Sequence, residues 1–493
     1  MKKYIFKLLV VSSILFTISS CSEDFLEESP TEFINEADLG ISGELNPIVL
    51  EGALNGIYFN MFKTGTGGTE SHDDFGQKGF DIYGDMLSSD MALTQGSYGH
   101  YNALTELKTT VDYTRLGNYK TWRYYYRVIR SANLMINTLG GNDADVEENL
   151  AYSYAQAKAM RAYAYFYLTQ YFIQEYDPAA KVLPIYTDPT QPNQPQSTTE
   201  DVYNLMIADL EQAVTMLDGF SRNGKHQINQ DVAKSLLAYV YASTGTSENN
   251  LKALALANDV AANHPITTKK ELTGGFNNVA TPSWIWGVDI TVDQSLGLIS
   301  FWGQIDIYTY SYAAVGNTKA IDENLFKQIR ANDLRKTQFW ENADDSGLEL
   351  TPYKKFYNEE RVIFGNRTVT DDYVYMRVEE MVLLAAEMAA KEGQEAVAIT
   401  HLNTLLKERY EDVTDFNYIN TLTGQELLDE VILQTRIEMW GEGKSYLSMK
   451  RNKLTTNRGP NHLEFVGENI DYNDDRLTFE IPQAEIQDNP FIN

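Results

Sequence analysis

Long stretches with helical period, paired across short turns, dominate this 493-residue chain. In "STTEDVYNLMIADLEQAVTML", Val202, Met206, Leu210, Ala213 and Leu217 fall on one face of an α-helix. Ser197 and Glu200 precede that stripe at the spacing of a capping box. "TWRYYYRVIRSANLMINTL", Thr121 to Leu139, runs into Gly140-Gly141, a C-cap signal. "NLAYSYAQAKAMRAYAYFYLTQYF" follows and ends before Pro178, and "QDVAKSLLAYVYASTG" pairs with "NNLKALALANDVAAN". Further on, "DDYVYMRVEEMVLLAAEMAAK" carries an apolar stripe of Val374, Val378, Met381, Val382, Ala385, Met388 and Ala389. "QEAVAITHLNTLLKERY" and "TGQELLDEVILQTRIEMWGEGKSYLSMKR" complete the set, the last with a capping-box pattern from Thr423 to Glu426. A single cysteine, Cys21, excludes intramolecular disulfides, so the fold must rest on its core. A hydrophobic content of 43% is ample for that.

Short-looped helix pairs suggest a tetratricopeptide-like solenoid. Its regular period of about 34 residues is not visible, and its Trp-Leu-Gly-Tyr pattern is absent. The expected class is mostly α: divergent helix pairs as a scaffold, with an irregular, loop-rich lobe bearing short strands. We assign the scaffold to about 31–62, 121–263 and 371–450 of a single body spanning 31–493. The lobe takes about 63–120, with its Gly-rich turn "KTGTGG", and 264–370, rich in Gly, Asn, Thr and aromatics with strand-like pieces such as "SWIWGV". A long non-helical insertion between helices is where function concentrates.

The N-terminus reads as a targeting segment. Lys2, Lys3 and Lys7 form a positive region, Leu8 to Ile18 an apolar one, and Ser19-Ser20 a small-residue cleavage site, so 1–20 is a signal peptide. The apolar run is shorter than the ~20 residues of a membrane span. "Ile18-Ser19-Ser20-Cys21" resembles the lipobox of bacterial lipoproteins, in which the cysteine becomes the acylated N-terminus. Cys21 is therefore the expected lipidation site, palmitate among its acyl chains, and 21–30 a lipidated tether. "Ser22-Glu23-Asp24" resembles the acidic signal that sends Bacteroidetes lipoproteins to the outer cell surface.

Loss of 1–20 removes three lysines and no acids, moving the net charge from -29 to about -32. Such a balance repels phosphate backbones and anionic headgroups, which argues against nucleic acid and polybasic membrane docking. The six histidines are scattered, without an HExxH motif or cysteine partners, so no metal site is expected. "NDADVEE" lacks the glycine of an EF-hand turn. No GxSxG elbow occurs, "GTGG" is too short for a phosphate loop, and the abundance of acids makes any chosen glycosidase pair uninformative. No cofactor and no catalytic residue is assigned.

Aromatic residues in loops are the remaining signal, in a chain with 32 tyrosines. Tyr98 and Tyr101 lie in "TQGSYGHYNAL", and Trp302, Tyr308, Tyr310 and Tyr312 in "FWGQIDIYTYSYAAVG". The last three alternate at period two, which would place them on one face of an extended segment. Aromatic faces stack on the C–H faces of sugar rings, while Asn, Gln and Asp bond hydroxyls. These six are the candidate ligand residues, against the alternative that they pack into the core. Trp284 and Trp286, in the apolar run "WIWGV", are expected to be core.

The ordered stretches then resemble a family. "CSEDFLEESPT" is similar to the lipidated start of the SusD/RagB nutrient-uptake lipoproteins of Bacteroidetes. "TWRYYYRVIRSANLMINTL" looks like their Trp-x3-Tyr helix, and "AKAMRAYAYFYLTQYF" with "LPIYTD" like their Arg-Ala-x-x-Tyr-Phe helix and following Pro. "YMRVEEMVLLAAEMAA", "AITHLNTLLKER", "RIEMWGEGKSYLSMKR" and "IPQAEIQDNP" resemble the C-terminal half in order. "DPAAKV" replaces the usual glycine-containing turn, and Lys444-Ser445 stand where Arg and a bulky apolar residue are favoured. The resemblance implies a SusD-like fold with four tetratricopeptide-like helix pairs. It also implies a cell-surface, outer-membrane lipoprotein that does not catalyse but binds oligosaccharide or other nutrients and delivers them to a SusC-like TonB-dependent transporter. An all-helical glycan-degrading enzyme and a scaffold that holds protein partners on its helices are the alternatives.

Overall fold

Helix starts follow local chemistry, with one shift from expectation. In the computed structural model the cap before the helix that carries Val202 to Ala213 is Thr198, not Ser197. Its side chain accepts from Asp201 N at 3.0 Å, and the Asp201 carboxylate accepts from Thr198 N at 3.1 Å. The model describes residues 47–294 and 296–492. The signal segment 1–20, Cys21, the tether 21–30 and the first part of 31–62 lie outside the described residues. The chain divides into units Met1–Gly52 and Ala53–Asn493, and apart from the helical residues 47–52 the features described below belong to the second.

The architecture is mostly helical. The principal helices are α1 (Pro47–Phe59), α2 (Gln77–Leu87), α3 (Leu116–Thr138), α4 (Glu148–Phe172), α5 (Thr199–Met216), α6 (Gln230–Ser243) and α7 (Ser247–Asn263). After a long interruption come α8 (Val378–Lys391), α9 (Glu395–Leu406), α10 (Gly424–Glu438), α11 (Lys444–Arg451) and α12 (Gln483–Asp488). From α3 to α7 each helix packs on the next, α7 packs on α8, and α8 carries α9 and α10. The scaffold is thus continuous across the interruption.

Among the described residues, eight short strands form four two-stranded antiparallel ladders: β1 (Met91–Leu93) with β5 (Lys319–Ile321), β2 (Lys181–Pro184) with β3 (Gln196–Thr198), β4 (Trp284–Val288) with β6 (Tyr373–Arg377), and β7 (Thr455–Asn457) with β8 (Asn469–Asp471). "SWIWGV" supplies β4, with Trp284 and Trp286 buried as expected. Val374, read as part of a helical stripe, lies instead in β6, and the helix begins at Val378. The aromatic and β-branched residues of "YVYMR" take a strand over the helical period because β4 offers a ladder partner, with Val288 opposite Tyr373. Two further expectations change. Thr423 makes no side-chain cap, and the last long helix breaks at Gly441 (φ 80°) and Gly443 (φ 73°).

That break seats a buried ionic knot. Arg377 donates Nη1 to Glu438 at 2.7 Å and Nε to Glu442 at 2.9 Å. Glu438 also accepts from Arg409 Nη2 at 2.7 Å and Arg335 Nη1 at 3.1 Å, and Lys355 reaches Glu442 at 2.7 Å. All six side chains are buried. Removing one partner of such a set leaves an uncompensated charge, at a cost of about 3–5 kcal/mol. The knot joins β6, α10 and the lobe segment around Lys355, so it fixes the lobe to the scaffold.

Candidate functional site

The six candidate aromatics divide between surface and core. Tyr98 is 54% exposed and its ring meets Tyr312 edge-on at 5.2 Å. Tyr312 meets His100 at 4.4 Å, and its hydroxyl shares a hydrogen bond with His72 Nδ1. His72 and His100 stack, with centroids 5.4 Å apart and planes at 11°. Three separate segments thus build one cluster with Tyr98 outermost. Gly316 (φ 94°) turns the chain after Tyr312, and Ser97 N donates to its carbonyl at 2.8 Å, which pins the Tyr98 loop to this segment.

A second arm adjoins the first. Trp340, Tyr353 and Tyr357 pack against a small core of Ile307, Tyr308, Ala313 and Leu348. Trp340 and Tyr353 lie 5.1 Å apart. The Arg361 guanidinium covers Tyr357 at 3.9 Å and Tyr353 at 4.7 Å, and donates Nη2 to the Tyr353 carbonyl at 2.9 Å. The arms join at Ala313, next to Tyr312. Together they form an aromatic shelf edged by imidazole and guanidinium groups, which offers apolar faces to sugar C–H groups and donors to hydroxyls.

Trp302 does not belong to it. It is 0% exposed, lies edge-on to Phe301, and donates Nε1 to the Asp371 carbonyl at 2.7 Å. Tyr101 is also buried, beneath Lys319 Nζ at 4.5 Å from its ring and against Tyr83. Both rings are core in this structure. Nor do Tyr308, Tyr310 and Tyr312 share a face. Tyr308 packs on Tyr357, Tyr310 on Phe364 and Arg367, and Tyr312 on the histidines. The reason is Asp306, whose buried carboxylate accepts from Tyr308 N (2.9 Å), Thr309 Oγ1 (2.7 Å) and Asn358 N (3.0 Å) and coils the segment around itself.

Burial pushes Asp306 up to about 7 against those hydrogen bonds. Burial lowers the pKa of His100, opposed by Asp73 and reinforced by His72, so its ring is a neutral donor and acceptor at neutral pH. Burial alone would raise Asp73, but its ion pair with Lys120 and the hydroxyls of Ser71 and Tyr83 hold it at about 2. A cavity of about 370 Å³ lined by Asp73, Tyr83, His100 and Lys120 opens beside the cluster. Among the described residues no group of three or more His, Cys, Asp or Glu could hold a metal ion.

Sequence reasoning missed His72, His100, Trp340, Tyr353, Tyr357 and Arg361. All six lie in the two segments assigned to the lobe, so an inventory of aromatic and basic residues there would have found them. Their grouping was out of reach, since His72 and Tyr312 are 240 positions apart.

The fold is that of the SusD superfamily. A SusD superfamily protein from Bacteroides thetaiotaomicron superposes with a TM-score of 0.74 at 24% identity, over 90% of this chain and 98% of its own. A SusD-like carbohydrate binding protein from Bacteroides vulgatus gives 0.73 at 24% identity, over 90% and 96%. A protein solved with xylogluco-oligosaccharide gives 0.64 at 18% identity, over 90% and 98%. Residues 68–242 match the SusD-like model described as "Starch-binding associating with outer membrane", and residues 309–493 match the SusD family model. The chain belongs to the SusD/RagB family. Curated relatives are a SusD-like protein of Bacteroides ovatus, 26% identical over 48% of this chain, and SusD-like protein P25 of Formosa agariphila, 27% identical over 37%. The chain spans 39% and 31% of the length of these two relatives.

Proposed function

We propose that this protein captures glycans at the cell surface through the aromatic shelf, without catalysis, and passes them to a SusC-like TonB-dependent transporter. The observation that carries the reading is the exposed Tyr98 ring, braced by Tyr312 and two histidines beside the Trp340–Tyr353 arm. A half-exposed ring held rigid by other rings is a stacking platform with little entropy to lose. The relatives support a saccharide: a family described as starch-binding, a carbohydrate binding protein, and a structure with xylogluco-oligosaccharide. In this reading Cys21 carries the lipid that holds the protein in the outer membrane, Ser22-Glu23-Asp24 directs it to the exterior, and helix pairs of tetratricopeptide type hold the lobe above the transporter.

Affinity electrophoresis through xyloglucan and starch gels tests it. Tyr98→Ala and Trp340→Ala should each reduce retention about fivefold to tenfold, since a ring contact is worth roughly 1 kcal/mol. Retention of both variants at the wild-type level would overturn the choice of site. Incubation with the same polysaccharides followed by product analysis separates capture from hydrolysis.

A further inference from the structure

A second cavity, of about 730 Å³, opens between α3 and α12, and none of its lining residues belongs to the shelf. Its volume falls within the roughly 300–1,000 Å³ of small-ligand sites. The helix behind it is unusual for this chain. Acids outnumber bases by 69 to 40 overall, yet α3 holds Lys120, Arg123, Arg127 and Arg130 and no acid. Lys120 is buried and paired with Asp73, whereas all three arginines line the cavity. At i, i+4 and i+7 they form a ladder about 10 Å long on one face. Like charges at this spacing weaken a helix.

The ladder is oriented. Arg127 is half-buried and donates Nη1 to the Thr66 carbonyl at 3.1 Å. Arg123, exposed, is bonded to the Tyr119 hydroxyl and lies 5.7 Å from that ring. Arg130 is exposed one turn further along. Beside them Trp122, Tyr126 and Tyr186 form an aromatic wall, with centroids 4.7 Å apart for the first pair and 5.9 Å for the second. Three acids line the same cleft, two of them oriented by neutral donors. Glu485 accepts from Trp122 Nε1 at 3.2 Å and Asn489 Nδ2 at 2.9 Å. Asp188 accepts from Thr190 N at 2.7 Å and Thr190 Oγ1 at 2.6 Å, and Asp488 sits exposed at the end of α12.

Guanidinium groups beside tyrosine faces suit a ligand that is both a sugar and an anion, because the fork pairs with carboxylate or sulfate oxygens while the rings take the C–H faces. We propose that this cleft is a second saccharide site, separate from the shelf, that takes acidic oligosaccharides, uronates or sulfated sugars, through Arg123, Arg127 and Arg130. The site would let one chain hold the charged and neutral stretches of a mixed polysaccharide together.

Calorimetric titration of the full chain with trigalacturonate, its methyl ester and a sulfated galactan trisaccharide tests this. Binding of at least one acidic probe, weakened by more than tenfold in the Arg123→Gln/Arg130→Gln variant and by 0.5 M salt, is expected. The uronate and sulfate arms identify which anion is preferred. Both substituted residues are exposed, so the variant should melt with wild type and keep wild-type retention in neutral polysaccharide gels. The latter readout also separates failure here from failure of the shelf. Arg127→Gln, read by circular dichroism and by titration, adds the half-buried rung. The proposal is overturned if neither acidic probe binds, if the ester binds as well as the acid and the sulfated probe does not bind, or if the double variant binds the acidic probe as wild type does.

Discussion

Replacing Trp302 and Tyr98 by alanine, one at a time, separates core from ligand surface. Trp302 is fully buried, packs against Phe301 and Phe356, and donates to the Asp371 carbonyl. Truncation at such a site costs about 3–5 kcal/mol, and the orphaned carbonyl adds about 1 kcal/mol. A body of this size has an unfolding entropy of roughly 0.9 kcal/mol per kelvin near its midpoint, so Tm should fall by about 4–6 °C. Tyr98 keeps more than half of its surface in water. Its loss should move Tm by less than about 1 °C while weakening glycan retention several-fold. Scanning calorimetry and affinity electrophoresis on both variants read the two effects independently. A Trp302→Ala protein that melts with wild type and loses retention would refute the argument from burial, and a Tyr98→Ala protein that melts far lower would place that ring in the core.

Three further outcomes are expected. Burial alone would raise Glu442, but Arg377 and Lys355 hold it at about 2. Its folded value lies below the ordinary 4.5, so its contribution is full above about pH 4.5 and is lost as pH falls toward 2. Urea titrations at pH 6 and pH 3 should show this loss in wild type and a flatter dependence in Glu442→Gln, which is destabilised at pH 6 by about 3–5 kcal/mol. Gly443→Ala would place a Cβ 2.7 Å from Asp81 Cα at φ 73°, and should cost more than about 1 kcal/mol in the same assay. Gly424→Ala, with nothing within 4 Å of its Cβ, should cost less. Cys21→Ala should move the protein from the outer-membrane fraction to the soluble fraction, since acyl chains contribute ~0.8 kcal/mol per buried CH₂. Persistence in the membrane fraction without the transporter would count against the anchor.

The helical scaffold was legible because its helices alternate polar and apolar faces, as the Val202-to-Leu217 stripe shows. Helix α2 was not, because Gln77, Lys78, Asp81 and Asp85 are buried along with Phe80 and Ile82, which erases the period. Val374 and the interrupted final helix were misassigned for a related reason: a ladder partner and two left-handed glycines act through tertiary context that a window of sequence does not contain. Aromatic content pointed to loops that carry exposed rings but did not separate those rings from buried ones. Whether Trp302 or Trp340 faces water depends on contacts with residues far along the chain, Asp371 in the first case. The exposure of Tyr98 was legible because a glycine-flanked loop tip has nowhere to bury a ring.

The antiparallel pairing of Val288 with Tyr373 has an evolutionary consequence. Everything between these two residues leaves and re-enters the scaffold through one narrow gate, and the entropy of closing such an excursion rises only with the logarithm of its length, about 0.6 kcal/mol per doubling. Insertions, deletions and wholesale replacement of the intervening segment are therefore thermodynamically cheap so long as Arg335 and Lys355, which tie it to the ionic knot, are kept or replaced together with their partners Glu438 and Glu442. Selection can rewrite what the lobe recognises while the helices beneath it, and any surface they present to other proteins, stay constant.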